Sequence, residues 1–262
     1  MKYFVTSDIH SHFKELKKAL EKLGYDASND SHMLVVCGDI FDRGDEPLEV
    51  YNFLRSIPSN NRILIKGNHD YLFLKLFEKD KYTDNDIDDG TVYTMYKLAG
   101  KDKNDNFLDV KKSPIIIDIV NWMKSDEWIS YYEAGKYIFT HSFIPLRFKK
   151  TCFNFDDPDI YHDLEYDPNW RSIDDEFLLE RCAFDSAWRK VDAGLFDEEA
   201  KLGKILVCGH THSYEFFAGL DHKEYDDGAF EYGIYNNHSV INLDSWVERS
   251  KLINVLVIDI DD

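Results

Sequence analysis

Five short stretches of the chain carry side chains able to hold a metal ion. They are Asp8-Ile9-His10, Gly38-Asp39, Gly67-Asn68, a lone His141, and Gly209-His210-Thr211-His212. Asp8, His10, Asp39, Asn68, His141, His210 and His212 together supply two carboxylates, one amide and four imidazoles. That mixed oxygen and nitrogen set suits first-row divalent cations such as Mn²⁺, Fe²⁺ or Zn²⁺. Seven ligands exceed what one tetrahedral ion takes, but they match two ions sharing a bridging carboxylate. Two metals about 3.5–4 Å apart are a usual arrangement for attack on a phosphate. Asp42 and Arg43 follow within four residues of Asp39, so a cation and an anion could be held together there.

Taken singly, each stretch is ordinary. Gly-Asp after a strand is most often a turn. Asn68-His69 alone would be a turn or a helix cap, and His141 alone a satisfied core histidine. Their placement carries the weight, because each follows an apolar run that reads as a strand. Tyr3–Thr6 runs into Ser7-Asp8, and Phe13, Leu16, Leu20 and Leu23 then recur at helical spacing up to Gly24. Met33–Val36 leads to Gly38-Asp39, followed by a helix from Pro47, a residue well placed at a helix start. Arg62–Ile65 leads to Gly67-Asn68-His69-Asp70 and an apolar helix through Leu72, Leu74, Leu76 and Phe77. Three strand-loop-helix units predict a parallel α/β sheet, in which ligands sit beyond the carboxyl ends of the strands.

Further on, the acidic run Glu78–Gly90 reads as a solvated loop or mobile insertion, and Asp102–Asp109 is similarly polar. Helices are expected around Val92–Leu98 and from Pro114 through Trp128. Tyr137–Thr140 is a strand that delivers His141. Phe143–Asp175, rich in aromatics, Asp and Pro, reads as an irregular excursion beside the site, a possible lid. A helix from Asp174 through Cys182 precedes Trp188-Arg189, and Lys204–Cys208 is a strand ending at Gly209. Tyr232–Tyr235, Ser239–Leu243 and Leu252–Asp259 are expected to be antiparallel strands completing a second sheet. With no repeat and no linker, a single domain over 1–262 is expected, with insertions around 78–135 and 143–190.

A chain of 262 residues, 44% hydrophobic and 15% aromatic, has the length and composition for a real core. Its net charge of −19 speaks against charge-driven binding to nucleic acid or to an anionic membrane. A phosphate substrate stays compatible with that charge, since local cations can dominate a site. The four cysteines, Cys37, Cys152, Cys182 and Cys208, show no CxxC spacing, so neither a disulfide framework nor a thiolate zinc site is expected. No apolar run approaches the ~18 residues of a membrane span. Tyr3-Phe4-Val5 already reads as core strand, which argues against a signal peptide, and the expected location is cytoplasmic.

In this order the motifs resemble the calcineurin-like metallophosphoesterase superfamily, with its DxH, GDxxDRG, GNH[DE], lone His and GHxH signatures. Here they stand as Asp8-Ile9-His10, Gly38-Asp39-Ile40-Phe41-Asp42-Arg43-Gly44, Gly67-Asn68-His69-Asp70, His141 and Gly209-His210-Thr211-His212. The Asp42-Arg43-Gly44 ending is similar to the serine/threonine protein phosphatase branch, including the bacteriophage lambda and diadenosine tetraphosphatase types. Gly-His-Thr-His is more typical of the wider phosphoesterases. The resemblance implies a four-layer α/β/β/α sandwich of two mixed sheets with flanking helices. It also implies two divalent ions, manganese foremost, with iron, zinc or nickel as other occupants. Asp8, His10, Asp39 and His212 would hold one ion, and Asp39, Asn68, His141 and His210 the other. His69 would be the general acid, oriented by Asp42, and Arg43 would grip the phosphate. Trp188-Arg189 resembles a later pair of the protein phosphatase branch, making Arg189 a second phosphate ligand. The implied activity is hydrolysis of phosphomonoesters, on phosphoproteins or small molecules, by direct attack of a metal-bound hydroxide. Two alternatives stay open: a phosphodiesterase or dinucleoside polyphosphate hydrolase, and a non-catalytic metal-binding scaffold.

Overall fold

A computed structural model describes residues 1–149, 164–221, 233–235 and 239–260. Its opening third repeats one unit: β1 (Lys2–Thr6), α1 (Phe13–Lys22), β2 (His32–Cys37), α2 (Pro47–Ser56), β3 (Arg62–Ile65) and α3 (Asn68–Glu78). Four helices follow, α4 (Asp84–Asp88), α5 (Thr91–Leu98), α6 (Phe107–Lys111) and α7 (Pro114–Met123), before the short β4 (Trp128–Ile129). The chain then enters a second sheet through β5 (Tyr131–Ala134) and β6 (Tyr137–Thr140). A small ribbon of β7 (Arg147–Phe148) and β8 (Leu164–Glu165) precedes α8 (Glu176–Phe184), α9 (Ala187–Asp192) and α10 (Asp197–Lys201). The remainder is β9 (Ile205–Cys208), α11 (Ser213–Asp221), β10 (Gly233–Tyr235), β11 (Val240–Asn242), α12 (Val247–Ser250) and β12 (Leu256–Asp259).

The strands form two mixed sheets, ordered β12-β1-β2-β3-β4 and β10-β11-β9-β6-β5. Alternation along each strand explains why the sheets stack, since successive side chains face opposite ways. On the first sheet Phe4, Leu34, Val36 and Leu64 point to a core shared with α1, α2, α3, α5 and α7. Their neighbours Tyr3, Val5, Val35, Cys37 and Ile65 point the other way, onto Phe139, Val207 and Ile241 of the second sheet. Ile138, Leu206, Cys208 and Val240 then face an outer core with Phe143, Trp170, Phe196 and Phe216. Strands apolar on both faces therefore place helices outside and sheet against sheet within. Each fully buried side chain of this kind contributes about 1.5–3 kcal/mol. The expected α/β/β/α layering is present.

Several sequence expectations are corrected. Glu78–Gly90 is not plain loop. α4 forms inside it, with Thr83 and Asp86 capping reciprocally and Lys79 Nζ donating to Asp86 Oδ1 at 2.7 Å. Asp86 is buried, so local capping outweighed the acidic composition. Phe107, in the polar 102–109 stretch, begins α6 and is buried. The helix from Pro114 ends at Met123, and Trp128 lies in β4, paired with Leu64 of β3. Burying the indole edge-on against Trp122, ring centroids 5.1 Å apart, rewards that break. Phe143, Ile144, Leu146 and Trp170 are core residues rather than parts of a lid, and 150–163 lies outside the described residues. β11 runs parallel to β9, and β12 joins the first sheet antiparallel to β1, so only β10 matches the expected antiparallel completion of the second sheet. Tyr232 and Cys152 are outside the described residues, while Cys37, Cys182 and Cys208 are buried free thiols. Among the described residues, no helix is long and apolar enough to cross a membrane.

Candidate metal centre

The parallel strands β1, β2 and β3 of one sheet and β6 and β9 of the other deliver their loops to a common end. Left-handed backbone marks the place: Asp8 (φ 52°), His10 (φ 44°), Asp39 (φ 52°), Asp42 (φ 73°), Arg43 (φ 58°) and His210 (φ 69°). Such non-glycine conformations are costly and cluster where side chains must be aimed. Cross-loop hydrogen bonds hold them. The Asp8 amide donates to Gly38 O at 3.1 Å, His10 to Asp39 O at 3.0 Å, and Gly209 to His141 O at 2.8 Å. Asp70, fully buried, accepts from the amides of Gly67 at 2.8 Å and Asp39 at 3.0 Å, tying two loops together. Burial and the neighbouring Asp39 push its carboxyl up to about 7.

Asp39 is the hub. Its Oδ1 accepts from the His69 amide at 2.9 Å and lies 3.4 Å from His141 Nε2, while Oδ2 lies 3.6 Å from His10 Nε2. Burial works against its ionisation, but the rings of His141, His69, His10 and His210 hold the carboxyl below its ordinary range. Asp8 Oδ1 is 4.0 Å from His10 Nε2, and Asp8 Oδ2 accepts from Ser7 Oγ and from the His210 amide at 3.0 Å. Burial, then Asp39, push Asp8 well above the usual carboxylate range.

The ring orientations test whether a cation fits. His141 Nδ1 lies 2.8 Å from Cys37 O, and His10 Nδ1 lies 3.0 Å from Phe41 O. A carbonyl only accepts, so each Nδ1 carries a proton, the arrangement that leaves Nε2 to bind a cation. Burial keeps His10 and His210 uncharged, lowering each to about 3. His141 Nε2 therefore faces Asn68 Oδ1 at 2.8 Å and Asp39 Oδ1 at 3.4 Å, one nitrogen and two oxygens converging on one point. His210 Nδ1 also lies 2.8 Å from Asn68 Oδ1. Converging imidazole nitrogens and two adjacent buried carboxylates fit divalent cations. Two overlapping groups lie within ligand reach: Asp39 with His141 and His210, and Asp39 with His10 and His69.

Not every expected residue joins them. His212 stacks on Trp246, ring centroids 4.3 Å apart, and its Nδ1 lies 3.6 Å from Glu215. It belongs to neither group, whereas His69 belongs to one. His69 Nδ1 is 2.9 Å from Asp42 Oδ2, an oxygen that also accepts from Thr91 Oγ1 at 2.7 Å. Burial disfavours the charged ring, yet Asp39 and Asp42 push it up to about 9. Arg43 Nη2 lies 3.0 Å from His69 Nε2, a contact that needs a neutral ring accepting there. A charged ring and the guanidinium would both be donors, and an anion accepting from both removes the conflict. Arg189, on α9, lines a cavity of about 810 Å³ with Trp188, His210, His212 and Tyr214. Sequence reasoning missed Ser7, Asp70, Thr91 and Glu248. Asp70 lay inside a quoted motif and Ser7 beside Asp8, whereas Thr91 and Glu248 reach the site only through the tertiary fold.

Fold and site together define a metallophosphoesterase. The family model for calcineurin-like phosphoesterase matches residues 1–214, and the chain belongs to that family, whose members use divalent metals. Among curated proteins it is similar to symmetrical bis(5'-nucleosyl)-tetraphosphatases. That of Proteus mirabilis is 26% identical over 142 residues, covering 54% of this chain and 44% of the relative. One from Buchnera aphidicola is 39% identical over 79 residues, 30% of this chain and 27% of the relative. The chain thus spans less than half the length of these relatives. Among solved structures, the cold-active protein-tyrosine phosphatase of a psychrophilic Shewanella shares the fold with TM-score 0.56 and 16% identity, over 98% of this chain and 75% of that one. A protein serine/threonine phosphatase from Saccharomyces cerevisiae gives 0.50 and 15%, over 93% and 67%.

Proposed function

We propose that the protein hydrolyses phosphate esters at a two-metal centre, with phosphomonoesters, on phosphoproteins or small molecules, as the leading substrates. The observation that carries this reading is the convergence of His141 Nε2, Asn68 Oδ1 and Asp39 Oδ1 beside the His69–Asp42 pair. Asp8, His10, Asp39 and His212 would hold one ion, and Asp39, Asn68, His141 and His210 the other, manganese being the leading metal. When bound, the ions would polarise the phosphoryl oxygens and make an attacking water more acidic.

The rest falls to the chain's own groups. Arg43 directs its planar guanidinium, a two-pronged donor, to two phosphoryl oxygens. His69 gives the Nε2 proton to the leaving oxygen, and Asp42 fixes the ring through Nδ1. Thr91 keeps Asp42 in place from α5. Arg189 contacts the substrate from the adjoining cavity.

A second reading, hydrolysis of dinucleoside polyphosphates, is favoured by the similarity to symmetrical bis(5'-nucleosyl)-tetraphosphatases. The deciding experiment compares a nitrophenyl monoester, its bis-ester and diadenosine tetraphosphate as substrates of Mn²⁺-loaded protein, before and after chelation. Monoester turnover highest and lost on chelation supports the first reading. Tetraphosphate turnover highest supports the second, and no turnover of any substrate leaves the scaffold.

A further inference from the structure

An ion pair enters the site from beyond residue 214, where the family match ends. Glu248, on α12, accepts from Arg43 Nη1 at 3.0 Å, and the carboxylate is about three-quarters covered. Arg43's fork is thus divided, with Nη2 on His69 and Nη1 shared between Glu248 at 3.0 Å and His10 Nε2 at 3.3 Å.

The turn that carries Glu248 is held from several sides. Trp246 (φ 50°) and Lys251 (φ 56°) bracket α12 in left-handed conformations. Asp244 Oδ1 accepts from the Trp246 amide at 2.8 Å, and Asp244 O accepts from the Ser213 amide at 2.8 Å. Val247, between Trp246 and Glu248, is buried in the core of the first sheet. Non-glycine residues adopt such backbone only where the surroundings impose it. The same turn stacks Trp246 on His212, so it touches both sides of the centre.

Charge tells what this does to a bound phosphate. At a given distance, a carboxylate repels a doubly charged phosphoryl group twice as strongly as a singly charged one. We infer that Glu248 is a specificity-determining residue: it steadies Arg43 against His69 and lowers the preference of the site for dianionic monoesters over singly charged phosphates. The favoured class comprises diesters and the inner phosphates of a polyphosphate chain. The inference rests on reading this centre as a phosphoesterase site.

The test uses Mn²⁺-loaded wild type, Glu248→Gln, which keeps an acceptor for Arg43 without the charge, and Glu248→Asp, which keeps the charge. Two quantities are read: the ratio of kcat/KM for nitrophenyl phosphate to that for its bis-ester, and calorimetric affinity for inorganic phosphate. Glutamine is expected to raise the ratio about threefold or more and to tighten phosphate binding in step, with metal content unchanged. Aspartate should keep the wild-type ratio. Because the ratio is internal to each preparation, a partly unfolded variant does not disturb it. If glutamine prevents folding, Glu248→Ser makes the same charge change and must give the same rise. An unchanged ratio in an active, metal-loaded variant overturns the inference, and so does an equal loss on both substrates. Wild type that turns over neither ester and binds no phosphate overturns instead the reading of the site beneath it.

Discussion

The two sheets furnish the centre in different ways. Loops after β1, β2 and β3 hold one another: Asp8 bonds Gly38, His10 bonds Asp39, and Gly44 donates to His10 O at 3.0 Å. The second sheet's candidate ligands instead hang from the first sheet. His141 is oriented by Cys37 O, and the His210 amide is held by Asp8 Oδ2. The first sheet is the frame, and the second places imidazoles against it. Asp39, in the frame, is assigned to both ion positions, so its loss should disable both, whereas loss of His141 should disable one.

The largest expected effect is at Asp39, which faces both His10 and His141. Asp39→Ala should bring metal content close to zero and reduce kcat by at least about 10³-fold. His141→Ala should leave about one ion per chain. Elemental analysis showing one ion in both variants would remove the distinction between frame and hanging ligands.

Next comes His69, a frame residue whose expected work is on protons. His69→Asn should lower kcat roughly 10²–10⁴-fold with metal retained, and less for substrates with activated leaving groups. An acid must be protonated, so wild-type activity should fall as pH rises through the folded pKa of His69. Asp39 and Asp42, overcoming burial, place that pKa near about 9, and bound cations pull it down. The asparagine variant should lose that limb of the profile. Loss of a metal ion in the variant would instead make His69 a ligand, as its place beside His10 and Asp39 allows.

What was legible in the sequence follows the same division. The frame is written locally: an apolar strand, a polar loop and a helix recur three times, and the motifs fall on the loops. His141 and His210 were legible because each follows its own strand. The contacts that link distant segments were not. Thr91 lies 49 positions from Asp42, and Glu248 lies 205 from Arg43, in stretches without a chemical motif. The sheet joined by β12 was equally hidden, since an apolar run does not name the edge it will pair with. The stacking of His212, expected as a ligand, on Trp246, 34 positions later, was hidden in the same way.

Gly209 tests the seam between the sheets. A Cβ there would sit inside contact distance of Asp8 Oδ2 and Ser7 Oγ. Neither can withdraw freely, because Asp8 Oδ2 also holds the His210 amide and Ser7 Oγ donates to Cys37 O at 2.7 Å. Gly209→Ala should destabilise the protein by about 1–3 kcal/mol and weaken metal binding as well. Thermal melting with and without Mn²⁺ measures both. A variant as stable as wild type, with full metal content, would show the seam to be looser than the frame.

The smallest effect is expected from Arg189, the second sheet's counterpart to Arg43. The two share a guanidinium but not a setting. Arg43 lies 3.0 Å from His69, in reach of the groups expected to act on the phosphate. Arg189 rests 5.2 Å from the Trp188 ring centroid and faces the cavity beside His210 and His212. A charge so placed meets the substrate before and after the reaction alike, so it should contribute to binding more than to the transition state. Arg189→Ala should therefore raise KM about three- to tenfold and leave kcat nearly unchanged. Arg43→Ala should lower kcat itself, more for the monoester than for the bis-ester, because a dianion offers the fork more charge. Kinetics of both variants on both substrates decide the matter. If Arg189→Ala lowered kcat as far as Arg43→Ala, the second sheet would be contributing to the transition state, and the division between frame and hung ligands would not extend to the phosphate.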